Sequence, residues 1–157
     1  MTLGAITMHP IGQVVGGREE PTDDLWDNVV ADVVLDAERF TPAALAGLDR
    51  FSHVEVVFVF DRVDEADVNL TARHPRGRTD WPEVGILAQR AKARPNRIGV
   101  TVCEIVDLAG LVLTVRGLDA IDGTPVLDIK PYMTEFAPRT PVRQPPWSHE
   151  LMRGYWT

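Results

Sequence analysis

Short runs of alternating β-branched and aliphatic residues recur along this 157-residue chain, separated by segments rich in glycine, proline and aspartate. Such alternation is typical of strands that bury one face. Because parallel strands need crossover helices and the chain has almost none, we predict antiparallel pairing. The expected fold class is all-β: a small antiparallel β-barrel-like domain with a short helix and an extended C-terminal arm. The runs are residues 11–15, 29–35, 53–60, 84–88, 98–106, 111–115 and 126–129.

Helical signals are confined to two segments. Residues 42–48 (PAALAGL) follow Thr41, a candidate N-cap, and begin with proline at the first helical position. Residues 148–156 begin with Ser148, a second candidate cap, and predict a last helical turn or two. Between these two segments, residues 137–146 contain four prolines, which predict an extended arm of the kind that often packs on a neighbour.

Length and composition narrow the class of protein. A chain of 157 residues supports one core, so we divide it into a barrel domain over residues 1–136 and a proline-rich arm with a short helix over residues 137–157. The longest apolar run, residues 56–60, is far too short to cross a bilayer, and we expect no signal peptide. A single cysteine, Cys103, excludes an intrachain disulfide and favours a cytoplasmic location.

Charge is unevenly distributed along the chain. With 16 basic and 23 acidic residues the formal net charge is −7, which argues against tight non-specific binding to a nucleic acid backbone. Residues 73–97, the basic island, carry seven basic and two acidic residues, so they hold +5 and the remainder −12. Residues 19–38 contain eight acidic residues and no basic one. This acidic segment is either a solvated surface or a partner for the basic island.

Familiar catalytic and metal-binding motifs are absent from the sequence, among them the Walker loop, GxGxxG, HExxH and GxSxG. The four histidines lack metal-ligand spacing and cysteine company, so no metal is expected. Cys103 lies at an apolar position of a strand pattern, which predicts a buried and unreactive thiol.

Arginines and carboxylates concentrate instead around predicted turns. Residues 90–97 contain three arginines, residues 119–122 contain two aspartates, and residues 128–132 read DIKPY. Guanidinium groups clamp carboxylates or phosphates, and turn carboxylates accept bonds from ribose hydroxyls or an ammonium group. A zwitterionic nucleoside would suit both kinds of group.

Two of these runs resemble the signatures of the TsaA/TrmO family. Residues 85–105, GILAQRAKARPNRIGVTVCEI, resemble GVFATRSPxRPNPIGxS, and residues 117–132, GLDAIDGTPVLDIKPY, resemble DLxDGTPVxDIKPY. Residues 51–53 (FSH) and the apolar strand after them are similar to the family's FSHLW segment, and residues 11–14 (IGQV) to its opening IGxI. The resemblance covers nearly the whole chain, in order.

The resemblance implies an enzyme, an S-adenosylmethionine-dependent methyltransferase on a small all-β barrel that works as a homodimer. In characterised bacterial members the methyl group goes to N6 of threonylcarbamoyladenosine beside the anticodon of a threonine tRNA. S-adenosyl-L-methionine is therefore the expected cofactor and tRNA the expected partner. Whether the C-terminal arm covers the site of its own chain or that of a partner chain is left open.

Site residues carry over from the family position by position. The end of the FSH strand, the arginine of the ATR triplet and the DLxD turn form the family's cofactor pocket. In such a turn the main chain can bracket an adenine while a carboxylate accepts from ribose or ammonium. The expected cofactor-binding residues are Asp61, Arg62, Arg90, Leu118, Asp119, Ala120, Ile121 and Asp122.

Acceptor binding and proton transfer are assigned to two further motifs. We expect Arg94, Asn96 and Arg97 to bind the substrate as a clamp; the alternative is a hydrogen-bond network at a barrel corner. If the nucleophile is a nitrogen that carries a proton, Asp128 or Tyr132 would be the catalytic acceptor of that proton. The alternative for this pair is a packed strand end.

The chain departs from the family pattern at three places. Residues 21–28 (PTDDLWDN) replace the PRQ triplet, with Trp26 available to stack on a base. Asp61 and Arg62 stand where characterised bacterial members have His-Gln. The C-terminal domain of longer bacterial members has no expected counterpart. These changes keep three hypotheses open. The chain is a tRNA methyltransferase that holds phosphates with the basic island, a methyltransferase acting on a small-molecule acceptor or another RNA, or a non-catalytic S-adenosylmethionine-binding module.

Overall fold

The computed structural model describes all 157 residues and contains a closed antiparallel barrel, so the all-β prediction is confirmed. Six strands close the barrel in the order β1-β2-β7-β6-β3-β8, and β4 and β5 form a separate two-stranded sheet. The strands are β1 (Gly12–Val15), β2 (Val30–Leu35), β3 (His53–Val59), β4 (Ala72–Arg73), β5 (Val84–Gly85), β6 (Ile98–Ala109), β7 (Val112–Arg116) and β8 (Pro125–Pro131).

Buried and outward-facing side chains alternate along most barrel strands, so the side chains on one face of the sheet fill the barrel interior. In β3 the side chains of Val54, Val56 and Phe58 are buried, and the residues between them face outward. A single cluster of twelve buried residues results, as expected for strands whose side chains alternate between two faces. Its members are Val14, Ala31, Val33, Val54, Val56, Phe58, Cys103, Leu113, Val115, Leu118, Ala120 and Val126.

The predicted strand over residues 84–88 is wrong beyond its second residue. Only Val84–Gly85 is extended, and it pairs with Ala72–Arg73 rather than with the barrel. Ile86–Ala88 then forms a 3-10 turn, closed by the Gln89 N–H, which donates to the Ile86 carbonyl at 3.2 Å. The apolar pattern arises because Ile86 is buried beneath this turn and not because it alternates across a sheet.

Helical structure is short, and none of it is long and apolar enough to span a membrane. The helix predicted over residues 42–48 is two 3-10 turns, Pro42–Leu45 and Leu48–Arg50, because Gly47 between them is left-handed at φ 88°. Thr41 makes no side-chain cap. The one α-helix, α1, runs from Pro146 to Met152. Further 3-10 turns are Glu65–Asp67, Pro75–Gly77, Pro95–Arg97 and Thr134–Phe136.

The C-terminal helix therefore begins and ends earlier than the sequence predicts. Ser148 lies inside α1, and its hydroxyl donates to the Pro145 carbonyl at 2.7 Å instead of capping the helix N-terminus. Prolines at 145 and 146 set the start of the helix, since proline is tolerated at the first helical position. Residues 153–157 continue beyond the helix and return to the barrel.

Candidate functional site

Three long loops meet at one end of the barrel, which we call the loop end. Strands β1, β3 and β7 end there and β2, β6 and β8 begin there, because all neighbours are antiparallel. The loops are residues 16–29, 60–97 and 117–124. Loops carried on a rigid sheet are where binding residues concentrate. The loop end contains the resemblance-derived residues of the β3 end, Arg90 and the β7–β8 turn.

Asp119 lies at the centre of the loop end. Its half-buried carboxylate accepts hydrogen bonds from the hydroxyls of Thr101, a buried residue of β6, and Tyr155, near the C-terminus. Asp122, three residues later, acts differently, because its Oδ1 accepts the Gly16 N–H at 2.7 Å and so ties the turn to the β1–β2 loop. Of the two turn carboxylates, Asp119 is the one that faces the barrel mouth.

The main chain of the β7–β8 turn has a row of open donors. Gly117 N–H donates to the Val29 carbonyl at 2.9 Å, and Asp122 N–H to the Arg18 carbonyl at 2.7 Å. Between them, the N–H groups of residues 118–121 donate to no protein group, although the side chains of Leu118 and Ala120 are buried in the core. Main-chain N–H groups without a partner in the chain are available to donate to a ligand. The turn is therefore suited to a planar polar ligand beside a carboxylate.

The C-terminal segment packs on the loop end of its own chain. The N–H groups of residues 25–27 donate in order to the carbonyls of residues 154–156 at 3.0–3.1 Å. Trp81, buried in the β3–β6 loop, donates from Nε1 to Glu150 Oε2 at 2.8 Å. These bonds bring Tyr155 to Asp119. The sequence carried no signal for this contact beyond two aromatic residues at the end of an arm.

Burial and the negative charge of Asp119 raise the pKa of Tyr155 well above its ordinary value of 10. Arg90 and Arg76 act on this pKa in the opposite direction with a smaller effect. The Tyr155 phenol therefore stays neutral at physiological pH and acts as the donor to Asp119.

This pKa predicts how stability depends on pH. The unfolded chain ionises Tyr155 near pH 10 and the folded chain only at higher pH, so the free energy of unfolding falls as pH rises above about 10. Urea denaturation is expected to show that the free energy of unfolding falls less between pH 9 and pH 11 in Tyr155→Phe than in wild type. The variant lacks the phenol that releases up to one proton when the wild-type chain unfolds. Equal falls in both proteins would contradict the assigned environment of Tyr155.

The β1–β2 loop is organised around Arg18. This guanidinium donates to Thr22 Oγ1 at 2.7 Å and to the Asp24 carbonyl at 2.6 Å, and lies 4.4 Å from the ring centroid of Trp26. Trp26 is buried at 3% exposure. The expectation that it stacks on a base is therefore wrong, because the ring is buried and Arg18 occupies its face. Arg62 reaches the same loop and donates to the Glu19 carbonyl at 3.1 Å, while Asp61 is exposed.

Arginines of the β3–β6 loop bond to main-chain carbonyls. Arg90 donates to Val100 at 2.7 Å, Arg94 to Gln89 at 2.6 Å and Arg97 to Val63 at 2.6 Å. Asn96 between the last two is exposed and left-handed at φ 62°. These contacts are those of a barrel-corner network. Because a guanidinium has five N–H donors, each arginine also retains donors for a ligand.

The basic and acidic segments are joined by one ion pair. Arg76 Nη2 lies 2.8 Å from Asp24 Oδ1, and both side chains are partly exposed. Of the two interpretations of the acidic segment, this contact supports a partner for the basic island at Asp24. The exposed Arg78 pairs locally with Asp80 and lies 4.0 Å from the centroid of the buried Trp81 ring.

Asp128 and Tyr132 lie apart from Asp119. Asp128 faces outward on β8, where its Oδ1 accepts the Ile129 N–H at 2.9 Å and its Oδ2 accepts from Lys130 Nζ at 2.6 Å. Tyr132 follows β8 at the opposite end of the barrel, where its N–H donates to the His53 carbonyl at 3.0 Å. Within one chain, the structure does not bring this pair together with the loop-end residues.

Cys103 is buried in the core beneath Thr101, whose carbonyl oxygen lies 3.6 Å from its sulfur. Burial and the charge of Asp119 raise the pKa of this thiol to about 12. It is therefore protonated and unreactive at neutral pH, as the sequence predicts. The chain contains no group of three or more histidine, cysteine, aspartate or glutamate side chains placed to hold a metal ion.

The chain has relatives named for S-adenosylmethionine binding and for tRNA methylation. The chain is 33% identical over 141 residues to a probable S-adenosyl-L-methionine-binding protein of Pyrococcus abyssi, which covers 88% of this chain and 74% of the relative. It is 38% identical over 94 residues to the tRNA (adenine(37)-N6)-methyltransferase of Escherichia coli, covering 57% of this chain and 40% of that protein. It is 39% identical over 93 residues to the tRNA (adenine(37)-N6)-methyltransferase of Mus musculus. That match covers 59% of this chain and only 21% of the mouse protein.

A solved structure shows the same architecture. The crystal structure of TrmO from Pseudomonas aeruginosa superposes with a TM-score of 0.74 at 26% identity, covering 93% of this chain and 63% of that one. The sequence profile described as the tRNA-methyltransferase O N-terminal domain matches residues 19–143, four fifths of the chain. The chain therefore belongs to the family of the tRNA-methyltransferase O N-terminal domain.

Proposed function

We propose that this chain is an S-adenosylmethionine-dependent methyltransferase of the TrmO type that methylates N6 of threonylcarbamoyladenosine next to the tRNA anticodon. Family membership supports the proposal, as do relatives named tRNA (adenine(37)-N6)-methyltransferase and probable S-adenosyl-L-methionine-binding protein. The observation that carries it is the row of open N–H groups at residues 118–121 beside the Asp119 carboxylate.

The donor set of the loop end fits S-adenosylmethionine. The turn from Leu118 to Asp122 offers main-chain donors for an adenine edge, and Asp119 offers carboxylate oxygens for the ribose hydroxyls or the ammonium group. Asp61, Arg62 and Arg90 would complete the rim of the pocket. Asp122 would act by holding the turn against the β1–β2 loop. When bound, the cofactor supplies an activated methyl group on a sulfonium.

Acceptor binding is assigned to the basic island. Arg73 is suited to an anionic ligand because its guanidinium donates to no group within the chain. Lys92 is exposed on the same loop, and Arg94, Asn96 and Arg97 would contribute the donors left over from the barrel-corner network. Positioning the acceptor nitrogen in line with the methyl group is the main catalytic requirement.

The assembly that we propose is a cytoplasmic homodimer, with residues 1–136 as the barrel domain and residues 137–157 as the arm. Asp128 and Tyr132 remain our candidates for the proton acceptor. Because Asp128 faces outward on the barrel wall and Tyr132 lies at the end of the barrel opposite Asp119, they would act on the site of the partner chain. A small-molecule acceptor is the alternative to be tested: the net charge of −7 argues for it, whereas the relatives named tRNA (adenine(37)-N6)-methyltransferase argue for tRNA.

The test is transfer of labelled methyl from S-adenosylmethionine to bulk tRNA from a strain that lacks the homologue, followed by nucleoside digestion. We expect label in threonylcarbamoyladenosine, and binding of tRNA that weakens steeply with salt because phosphate contacts release counterions. Bound cofactor without labelled RNA would contradict the tRNA proposal and favour a small-molecule acceptor. A binding module would retain the cofactor and transfer methyl to neither class of acceptor.

A further inference from the structure

Tyr155 links the C-terminal segment to the carboxylate on which the cofactor site depends. It lies beyond residue 143, where the family match ends, so the resemblance assigns it no role. Its segment is held at two places, by three main-chain bonds to residues 25–27 and by the bond between Trp81 and Glu150. These four hydrogen bonds fix the position of the segment, so the contact between Tyr155 and Asp119 is part of the folded structure of the loop end.

We propose that Tyr155 is a positioning residue of the cofactor site, which orients the Asp119 carboxylate for binding of S-adenosylmethionine. This inference rests on the proposed function. An ionised carboxylate has about four lone-pair sites. Thr101 occupies one site on Oδ1 and Tyr155 one on Oδ2, which leaves each oxygen a second site for the ribose hydroxyls or the ammonium group.

Two fixed donors are needed because the final torsion of an aspartate side chain is broad and roughly two-fold. With Thr101 alone, the carboxylate would be held at one oxygen and could swing at the other. Tyr155 reaches Asp119 from the C-terminal segment. The Trp156 ring packs edge-to-face on the Tyr155 ring with 4.9 Å between the ring centroids, which limits movement of the phenol. The hydroxyls of Thr101 and Tyr155 therefore hold the Asp119 carboxylate in place before the cofactor binds.

The opposite role for the same contact is a plug, in which Tyr155 competes with the cofactor for Asp119. The two roles predict opposite signs. A positioning residue makes the cofactor bind more weakly when the hydroxyl is removed, whereas a plug makes it bind more tightly. The conservative variant Tyr155→Phe, which keeps the ring and its packing against Trp156, separates them.

The experiment is calorimetric titration of S-adenosylmethionine into four full-length proteins: wild type, Tyr155→Phe, Asp119→Asn and the double variant. We expect Tyr155→Phe to raise Kd about tenfold, because the carboxylate that Tyr155 no longer orients must be ordered when the cofactor binds. The double variant is expected to bind no worse than Asp119→Asn alone, because Tyr155 acts through Asp119. A merely structural role for Tyr155 would give additive losses.

An unchanged or lower Kd in Tyr155→Phe, or additive losses in the double variant, would overturn the positioning role. Failure of wild type to bind would overturn the proposed function instead. Thr114→Val is the matched control: it removes a hydroxyl that donates to a half-buried carboxylate, Asp32, at 2.6 Å on the barrel wall, and its Kd is expected to match wild type. Should Tyr155→Phe not fold, Glu150→Ala removes the acceptor of the Trp81 Nε1–H, frees the same segment and is expected to raise Kd several-fold; an unchanged Kd there would overturn the role.

Discussion

Asp119→Asn is expected to weaken S-adenosylmethionine binding about 100-fold, since two charge-assisted bonds at roughly 1.5 kcal/mol each are lost. The substitution keeps the size of the side chain and removes its charge. It also places an amide, with two N–H donors, where the hydroxyls of Thr101 and Tyr155 now donate to oxygen. Calorimetry with purified protein measures the change directly.

Asp32→Asn is the matched control for this variant. Asp32 is also half-buried and also accepts from a threonine hydroxyl, that of Thr114, but it lies on the barrel wall between β2 and β7. The Asp32→Asn variant is expected to bind S-adenosylmethionine with the same affinity as wild type. Equal losses in Asp119→Asn and Asp32→Asn would mean that general loosening of the barrel, and not a contact with the cofactor, lowers affinity.

Gly12→Ala is expected to lower the free energy of unfolding by about 3 kcal/mol, the upper range for overpacking a closed structure. A Cβ on Gly12 would lie 2.9 Å from the Leu35 Cα and closer still to the Val34 carbonyl oxygen. These are main-chain atoms of the neighbouring strand, so no side-chain rotation relieves the clash. Because β1 is paired on both edges, with β2 and with β8, it has no direction in which to move.

Gly85→Ala provides the comparison, because nothing lies within 4 Å of a Cβ at that position and the backbone φ is −57°. Urea denaturation is expected to give a free energy of unfolding within about 0.5 kcal/mol of wild type for Gly85→Ala. Similar unfolding midpoints for the two alanine variants would contradict the close approach of β1 and β2.

The barrel could be predicted because buried and outward-facing residues alternate along most of its strands and the segments between them contain too little helix for crossovers. Errors arose where apolar residues were buried by something other than a sheet. Ile86 is covered beneath a 3-10 turn, so residues 84–88 matched a strand pattern without forming one. The break at Gly47 could not be predicted either. Its left-handed conformation ends the first 3-10 turn, and the apolar pattern of residues 42–48 carries no sign of it.

The loop end could be predicted only in part. Asp119 was identified through the DLxD resemblance, and the open N–H groups beside it support that proposal. Tyr155 could not be found, because a contact across 36 residues of sequence leaves no local pattern. Trp26 was misjudged for a related reason: its cover, Arg18, belongs to the same loop, but burial of the ring depends on how the whole loop folds back.

The most direct test of a cofactor site at the loop end is an amide-resolved NMR titration with S-adenosylmethionine. We predict that the largest shifts and new protection from hydrogen exchange occur at the N–H groups of residues 118–121, which are open in the free chain. The β6–β7 hairpin at residues 110–111, at the opposite end of the barrel, should not respond. Shifts centred on the apolar groove lined by Phe40, Leu48 and Phe51, or no shifts at all, would contradict a cofactor site at the loop end.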